Sequence, residues 1–189
     1  MAIAEKLYYG LDKAGFAVLT DEEAGTYEDI VMMPGAVSLT LEQQGEVTKV
    51  YADNIVWYQT ASNNGYEGDL EIMTVPDAFL TDVLGQTLDD TDKVLIEKDT
   101  DQTKPFGFVF RVKNDISNTC HVFYNCTATR PSVGGATQEE SFEATTQTIT
   151  ISAVSLPQLN MVKARTTAET EEAKKTAWFT SIWKPGVTA

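Results

Sequence analysis

The sequence predicts a mainly β protein of the α+β class: an antiparallel β-sandwich or partial barrel with one flanking helix and a short C-terminal helix. Three observations carry that expectation. Most apolar residues recur with a period of two, the repeat that sends a strand's side chains to alternate faces. Only two segments show helical spacing. The rest is long, polar and acidic connection. Strands that outnumber helices this heavily pack sheet on sheet, or curl one sheet on itself, with a helix against one side.

The elements follow in order. Val37, Leu39 and Leu41 alternate with Ser38, Thr40 and Glu42 after the Pro34-Gly35 break, a half-buried strand pattern. Residues 47–51 and 55–60 are β-branched and aromatic, separated by Ala52-Asp53-Asn54. Ser62-Asn63-Asn64-Gly65 reads as a hairpin turn, because Asn and Gly tolerate positive φ. Tyr66, Gly68, Leu70 and Ile72 then alternate with Glu67, Asp69 and Glu71, so one face of a strand carries three carboxylates in a row. Phe106, Phe108, Phe110 and Val112 form a strongly apolar strand face, and Val122, Tyr124 and Cys126 are expected to continue it on the next strand. Apolar parity changes from Phe142 and Ala144 to Ile149, Ile151 and Ala153, which predicts a bulge near 145–148.

Residues 76–85 read as a helix. Pro76 suits a first turn, Gly85 suits a C-cap, and Phe79, Leu80, Val83 and Leu84 make one apolar stripe. A second helix is expected over about 169–183, where Ala173, Ala177 and Trp178 share a side. Glu171 and Glu172 there precede Lys174 and Lys175 at pairing distance. The whole of 1–189 reads as one domain. Its connections at about 21–34, 43–65, 85–104 and 130–141 are long enough to be functional or disordered.

The chain carries 28 acidic against 14 basic residues, a net charge of −14. Such a surface repels duplex DNA and anionic lipid, since both bind through cationic contacts to phosphate. It suits a passage to which nucleic acid does not stick. Residues 1–6 lack the basic start and apolar run of a secretion signal. The stretch 30–41 holds Pro34, Ser38 and Thr40 and is too short to span a bilayer. The expectation is a protein made in a cytoplasm, with no membrane partner.

If 120–128 is one strand, Cys120 and Cys126 share a face about 20 Å apart, with the single His121 on the other face. A disulfide needs Cα atoms within about 7 Å. Both thiols are therefore expected to be small buried hydrophobes, with no zinc site. The row of Glu67, Asp69 and Glu71 admits three readings: a solvated face, an electrostatic wall or a catalytic pair. Residues two apart on a strand stand about 6.6–7 Å apart, within glycosidase range, but the neighbours on that face are themselves acidic. Asp89-Asp90-Thr91-Asp92 lacks the turn glycine and bidentate glutamate of a calcium loop. No phosphate loop, dinucleotide glycine pattern or nucleophile elbow occurs, and Ser, Cys and His form no triad. The expectation is no enzyme, no metal and no cofactor.

The stretch PGAVSLTLEQQGEVTKVYADNIVWYQTASNNGYEGDLEIMTVPDAFLTDVLG (34–85) resembles the major tail protein family of siphophages and prophages of Gram-positive bacteria. It is similar in a PGAVSL strand, a YADN turn, an NNGYEGDLE hairpin and a PD-F---LG helix. KPFGFVFRV, HVFYNCTATRP, EESFEATTQTITISA and a late Trp-Phe segment follow in similar order, so the likeness runs from Tyr9 to Trp183. The resemblance implies the tail tube β-sandwich with a flanking helix; no appended immunoglobulin-like domain is expected, since the sequence stops soon after Pro185. It also implies a structural virion protein, assembled in the host cytoplasm. Subunits would form hexameric rings whose inner sheets join into one β-barrel, and the rings would stack into a tube. That tube would hold the tape-measure protein, meet tail terminator and distal tail proteins, and conduct DNA at ejection without binding it specifically. Inter-subunit contacts are expected from the long connections, notably Val50, Tyr51, Trp57 and Tyr58, and the lumen lining from Glu67, Asp69 and Glu71. The alternative is a carbohydrate-binding or adhesive β-sandwich on the virion surface, with Trp57, Tyr58 and Tyr66 as sugar platforms.

Overall fold

The computed structural model describes residues 8–114, 118–135, 137 and 145–186. Along them run β1 (Tyr8–Asp21), β2 (Thr26–Tyr27), β3 (Val31–Met32), β4 (Ala36–Gln43), β5 (Val47–Ala52), β6 (Ile55–Ala61), β7 (Tyr66–Ile72) and α1 (Asp77–Asp82). There follow β8 (Thr87–Leu88), β9 (Leu95–Ile96), β10 (Phe106–Asn114), β11 (Thr119–Ala128), β12 (Gln147–Val154), β13 (Lys163–Arg165) and α2 (Glu172–Ala177). The main sheet is ordered β2-β1-β10-β11-β12-β7-β4, with β3 beside β1 and β13 beside β11, and its pairings are antiparallel. β4 at one end comes alongside β1 without pairing to it, so the open sheet curls into a partial barrel. The mainly β, antiparallel fold with two short helices is the one the sequence predicts.

The larger core fills the curl. Phe16 and Val18 of β1, Phe106 and Phe108 of β10, and Leu70 and Ile72 of β7 meet there with Ile149 and Ile151 of β12. α1 plugs the opening. Phe79 sits edge-on to Phe16 and Phe106, with ring centroids 5.1 and 5.5 Å apart, a favoured geometry for aromatic pairs. Val83 and Leu84 are buried with it, while Leu80 lies half-buried at the margin of the stripe. Pro76 precedes the helix, and Gly85 follows it with φ +77, a conformation glycine adopts without strain.

The second core lies on the other face of β1, β10 and β11. Ala17, Val109, Cys120 and Val122 are covered there by Leu156, Trp178 and Ile182. α2 is six residues long, shorter than the helix expected over 169–183. The chain leaves the helix after Ala177, which lets Trp178 and Ile182 both turn onto the sheet. Trp178 Nε1 donates to the His121 carbonyl at 3.2 Å. Ala173, expected on the packed side, is exposed, whereas Lys175 is buried with its ammonium 3.7 Å from Glu172.

Two register shifts overturn expectations about facing. Phe106 pairs with Cys126 but Phe108 pairs with Phe123, so β11 carries an extra residue between them. Cys120, Val122 and Tyr124 face the second core, while Phe123, Cys126 and Ala128 face the first. The two cysteines are therefore on opposite faces, and Cys126 does not continue the face of Val122 and Tyr124. Both thiols are free and buried, and burial pushes both pKa values up. His121 faces away from Cys120 and stacks on Phe110 with centroids 4.8 Å apart. Burial, then Lys163 and Arg165, lower its pKa to about 4. On β4, Ala36 pairs with Ile72 and Ser38 with Glu71, so Val37 is the extra residue and turns outward instead of inward.

The long connections are not structureless. Residues 21–34 contain β2 and β3, and 85–104 contain the small β8–β9 hairpin. Ile149, Ile151 and Ala153 face the core as their parity suggests. Phe142, Ala144 and part of 130–141 lie outside the described residues.

Candidate functional site

β4 pairs with β7 from Ala36↔Ile72 to Gln43↔Tyr66, and β5 pairs with β6 from Val47↔Ala61 to Ala52↔Ile55. The two pairs are joined. Gln44 N–H donates to the Gly65 carbonyl and Asn64 N–H to the Gln44 carbonyl, each at 2.9 Å, and Ser62 N–H donates to the Glu46 carbonyl at 3.0 Å. One continuous two-stranded ribbon results. Its inner half belongs to the main sheet, and its outer half, the β5–β6 arm, pairs with no other strand among the described residues. Residues 62–65 are thus the waist of the ribbon, not the hairpin turn the sequence suggested. The reversal is Asp53-Asn54, with φ +52 and +63, as a two-residue turn between twisted strands requires. At the waist Gly65 has φ +98, and a Cβ there would collide with the Ala153 carbonyl.

On the inner half the alternation of β7 is as read. Leu70 and Ile72 are buried; Glu67 and Asp69 are exposed and Glu71 is partly covered. The register sets Ser152, Thr150 and Thr148 of β12 opposite these three acids, and Glu42, Thr40 and Ser38 of β4 on the other side. Thr150 Oγ1 donates to Asp69 Oδ1 at 2.8 Å, Ser38 Oγ to Glu71 Oε2 at 2.8 Å and Thr146 Oγ1 to Glu71 Oε1 at 3.3 Å. β4, β7 and β12 contain no lysine or arginine. Hydroxyls hold the Asp69 and Glu71 carboxylates in place without cancelling their charge. Among the described residues no group of acids, cysteines and histidine has an arrangement that could hold a metal ion. Asp89 instead accepts the N–H groups of Thr91 and Asp92 at 2.7 and 3.0 Å, which fixes its own turn and lowers its pKa.

The arm is exposed throughout its strands apart from the half-buried Ala52. Tyr51 is 64% exposed, Trp57 69% and Tyr58 58%. Val50 stands opposite Tyr58 and Tyr51 opposite Val56, with a register shift at Trp57 between them. Apolar side chains therefore emerge on both faces. Lys49 is the one charged residue in β5 and β6. A lone two-stranded ribbon is marginal in water, and contiguous exposed apolar surface marks a contact site. Tyr66 does not join Trp57 and Tyr58 on one surface. It is half-buried, edge-on to Phe123 at 5.3 Å and beneath Lys163 at 4.1 Å.

A feature the sequence did not suggest is a groove of about 850 Å³ between residues 26–29 and the C-terminal segment. Tyr27, Trp178, Ile182 and Trp183 make its apolar lining. Trp178 and Trp183 stack at 5.6 Å and 11°, Lys184 lies over the Tyr27 ring at 5.5 Å, and Tyr27 OH donates to the Tyr124 carbonyl at 2.7 Å. Glu28, Asp29 and Glu171 supply carboxylates to it.

No protein-family model matches this chain, and no curated protein matches it. Among the described residues no helix is long and apolar enough to cross a membrane.

Proposed function

We propose that this chain is the tail tube subunit of a long, non-contractile phage tail, forming hexameric rings that stack into a tube. One observation carries the reading: the β4–β7 ribbon joins an acidic sheet face to an arm of uncovered aromatics. The first half suits a wall past which a polyanion moves. The second suits a subunit that finishes burying its apolar surface only on assembly.

Glu67, Asp69 and Glu71 face the lumen in this reading, and Val50, Tyr51, Trp57 and Tyr58 lie between subunits. Lysines on the lumen wall would gain phosphate contacts and release counterions, slowing the DNA. Carboxylates repel it instead, over a Debye length of about 8–10 Å. Repeated around each ring and along the tube, three acids per subunit become a continuous negative lining. DNA passes without specific binding, the tape-measure protein fills the tube beforehand, and terminator and distal tail proteins close its ends. The site of action is the virion, after assembly in the host cytoplasm. The reading involves no catalytic step, metal or cofactor.

Electron microscopy of the concentrated protein tests it. The expected result is tubes of uniform bore, in whose reconstruction the Glu67 and Glu71 carboxylates border the lumen. Persistent monomers with affinity for sugars would favour the carbohydrate-binding alternative. Tubes with those carboxylates on the outside would give the lining to other residues.

A further inference from the structure

We infer that residues 44–46 and 62–65 form a rigid elbow, which holds the β5–β6 arm at one fixed angle to the main sheet in the free chain. The arm is therefore aimed before it meets anything. The elbow belongs to the single chain, and only its use in assembly rests on the tube reading.

The register shows the bend. Gln43 pairs with Tyr66 and Val47 with Ala61. Between those pairs one strand has three residues, 44–46, and the other has four, 62–65. An extra residue on one side of an antiparallel pair is a bulge, which bends the ribbon and tightens its twist. The backbone here is nevertheless well paired. Gln44 uses both its N–H and its carbonyl, toward Gly65 and Asn64. Ser62 N–H donates to the Glu46 carbonyl, and Ser62 Oγ accepts the Glu46 N–H at 2.9 Å. Gly65 N–H donates to Asn63 Oδ1 at 3.2 Å, which ties the fourth residue into its own turn.

Two glycines let the backbones approach this closely. A Cβ on Gly45 would collide with the Ser62 carbonyl across the waist, and one on Gly65 with the Ala153 carbonyl of β12. The first contact presses the two strands of the elbow together, and the second seats the elbow on the main sheet. A hinge needs residues free to absorb changes in φ and ψ. These residues are held by hydrogen bonds and by close packing of backbone on backbone. An arm already aimed gives up little freedom on docking, so more of the burial of Trp57 and Tyr58 is realised as affinity.

Spin labels test the elbow in the dilute monomer. One label is placed at Ile55→Cys, exposed beside the arm's turn, and the other at Thr127→Cys, exposed on β11. Both native thiols are buried and stay unlabelled. Double electron–electron resonance then reads the arm's angle as a distance distribution, and one narrow peak is expected. Gly45→Ala forces the waist apart, and Ser62→Ala removes the Oγ bonds; each is expected to broaden the peak at least twofold. Gly45→Ala, at an exposed position, is also expected to lower tube yield at least tenfold with the melting of the body unchanged.

A broad or many-peaked distribution in the wild-type monomer would overturn the elbow and leave the tube reading standing. A narrow peak that neither substitution broadens would do the same. Normal tubes from Gly45→Ala chains with a broadened peak would overturn the elbow's part in assembly. Wild-type protein that keeps the single peak but forms no tubes at any concentration would uphold the elbow and overturn the tube reading.

Discussion

Trp178 and Trp57 are the same residue in opposite circumstances. Trp178 is 4% exposed on the sheet, its indole N–H bonded to a carbonyl; Trp57 is 69% exposed on the arm. The body buries apolar residues on both faces of β1, β10 and β11, whereas the arm covers neither of its faces. Local composition is alike in the two regions, since both are β-branched and aromatic. What differs is whether another element of the same chain lies across the strand. The body's apolar residues stabilise the monomer, and those of the arm stay exposed in the single chain.

The largest effect is expected in the body. Phe106, fully buried and edge-on to Phe16, Phe79 and Phe108, should cost about 3–5 kcal/mol in denaturant unfolding when replaced by alanine. A loss below about 1 kcal/mol would mean that the body is packed no better than the arm.

Next comes a pH effect confined to the body. His121 has a pKa of about 4 when folded against 6.5 ordinarily, so between those values the unfolded chain binds a proton that the folded chain refuses. Stability is fully present above about pH 6.5 and falls as pH drops towards about 4, by at most about 1.4 kcal/mol per unit. His121→Gln should flatten that window. Asp12, held low first by its hydrogen bond to Arg111, adds a further loss only below the ordinary carboxylate range. An unchanged slope in His121→Gln would assign the acid sensitivity to other groups.

Leu80, half-buried at the edge of α1, should cost about 1–2 kcal/mol on truncation to alanine, less than a fully buried leucine. The smallest stability effect belongs to the arm. Trp57→Ala with Tyr58→Ala should change monomer unfolding by no more than about 0.5 kcal/mol, the usual range for exposed positions, while abolishing tubes in micrographs. Normal tubes from that double variant would remove the arm from the interface.

Much of this arrangement was legible because it is local. The outward row of Glu67, Asp69 and Glu71, the stripe of α1 and both arm strands follow from spacing and flanking turn residues. β1 was not legible, since Phe16 and Val18 serve one core and Ala17 and Leu19 the other, which erases the alternation that marks a half-buried strand. The extra residue of β11 has no signature of its own, because it exists only in the pairing with β10. Asn63-Asn64-Gly65 permits positive φ at a turn or a waist alike, and only pairing beyond it decides which. The hydroxyl partners of the acidic row and the groove also come from residues far apart in the chain.

The burial of β11 on both faces bears on how the molecule comes apart. Val122 and Phe123 stand back to back, one in each core, so the strand is a wall shared by two rooms. Neither side can lose its packing while the other keeps that wall intact. The two cores are therefore expected to melt as one cooperative unit, with the slowest amide exchange along β11. Among the described residues the arm shares no wall with another strand, and its amides should exchange through local opening long before the body yields.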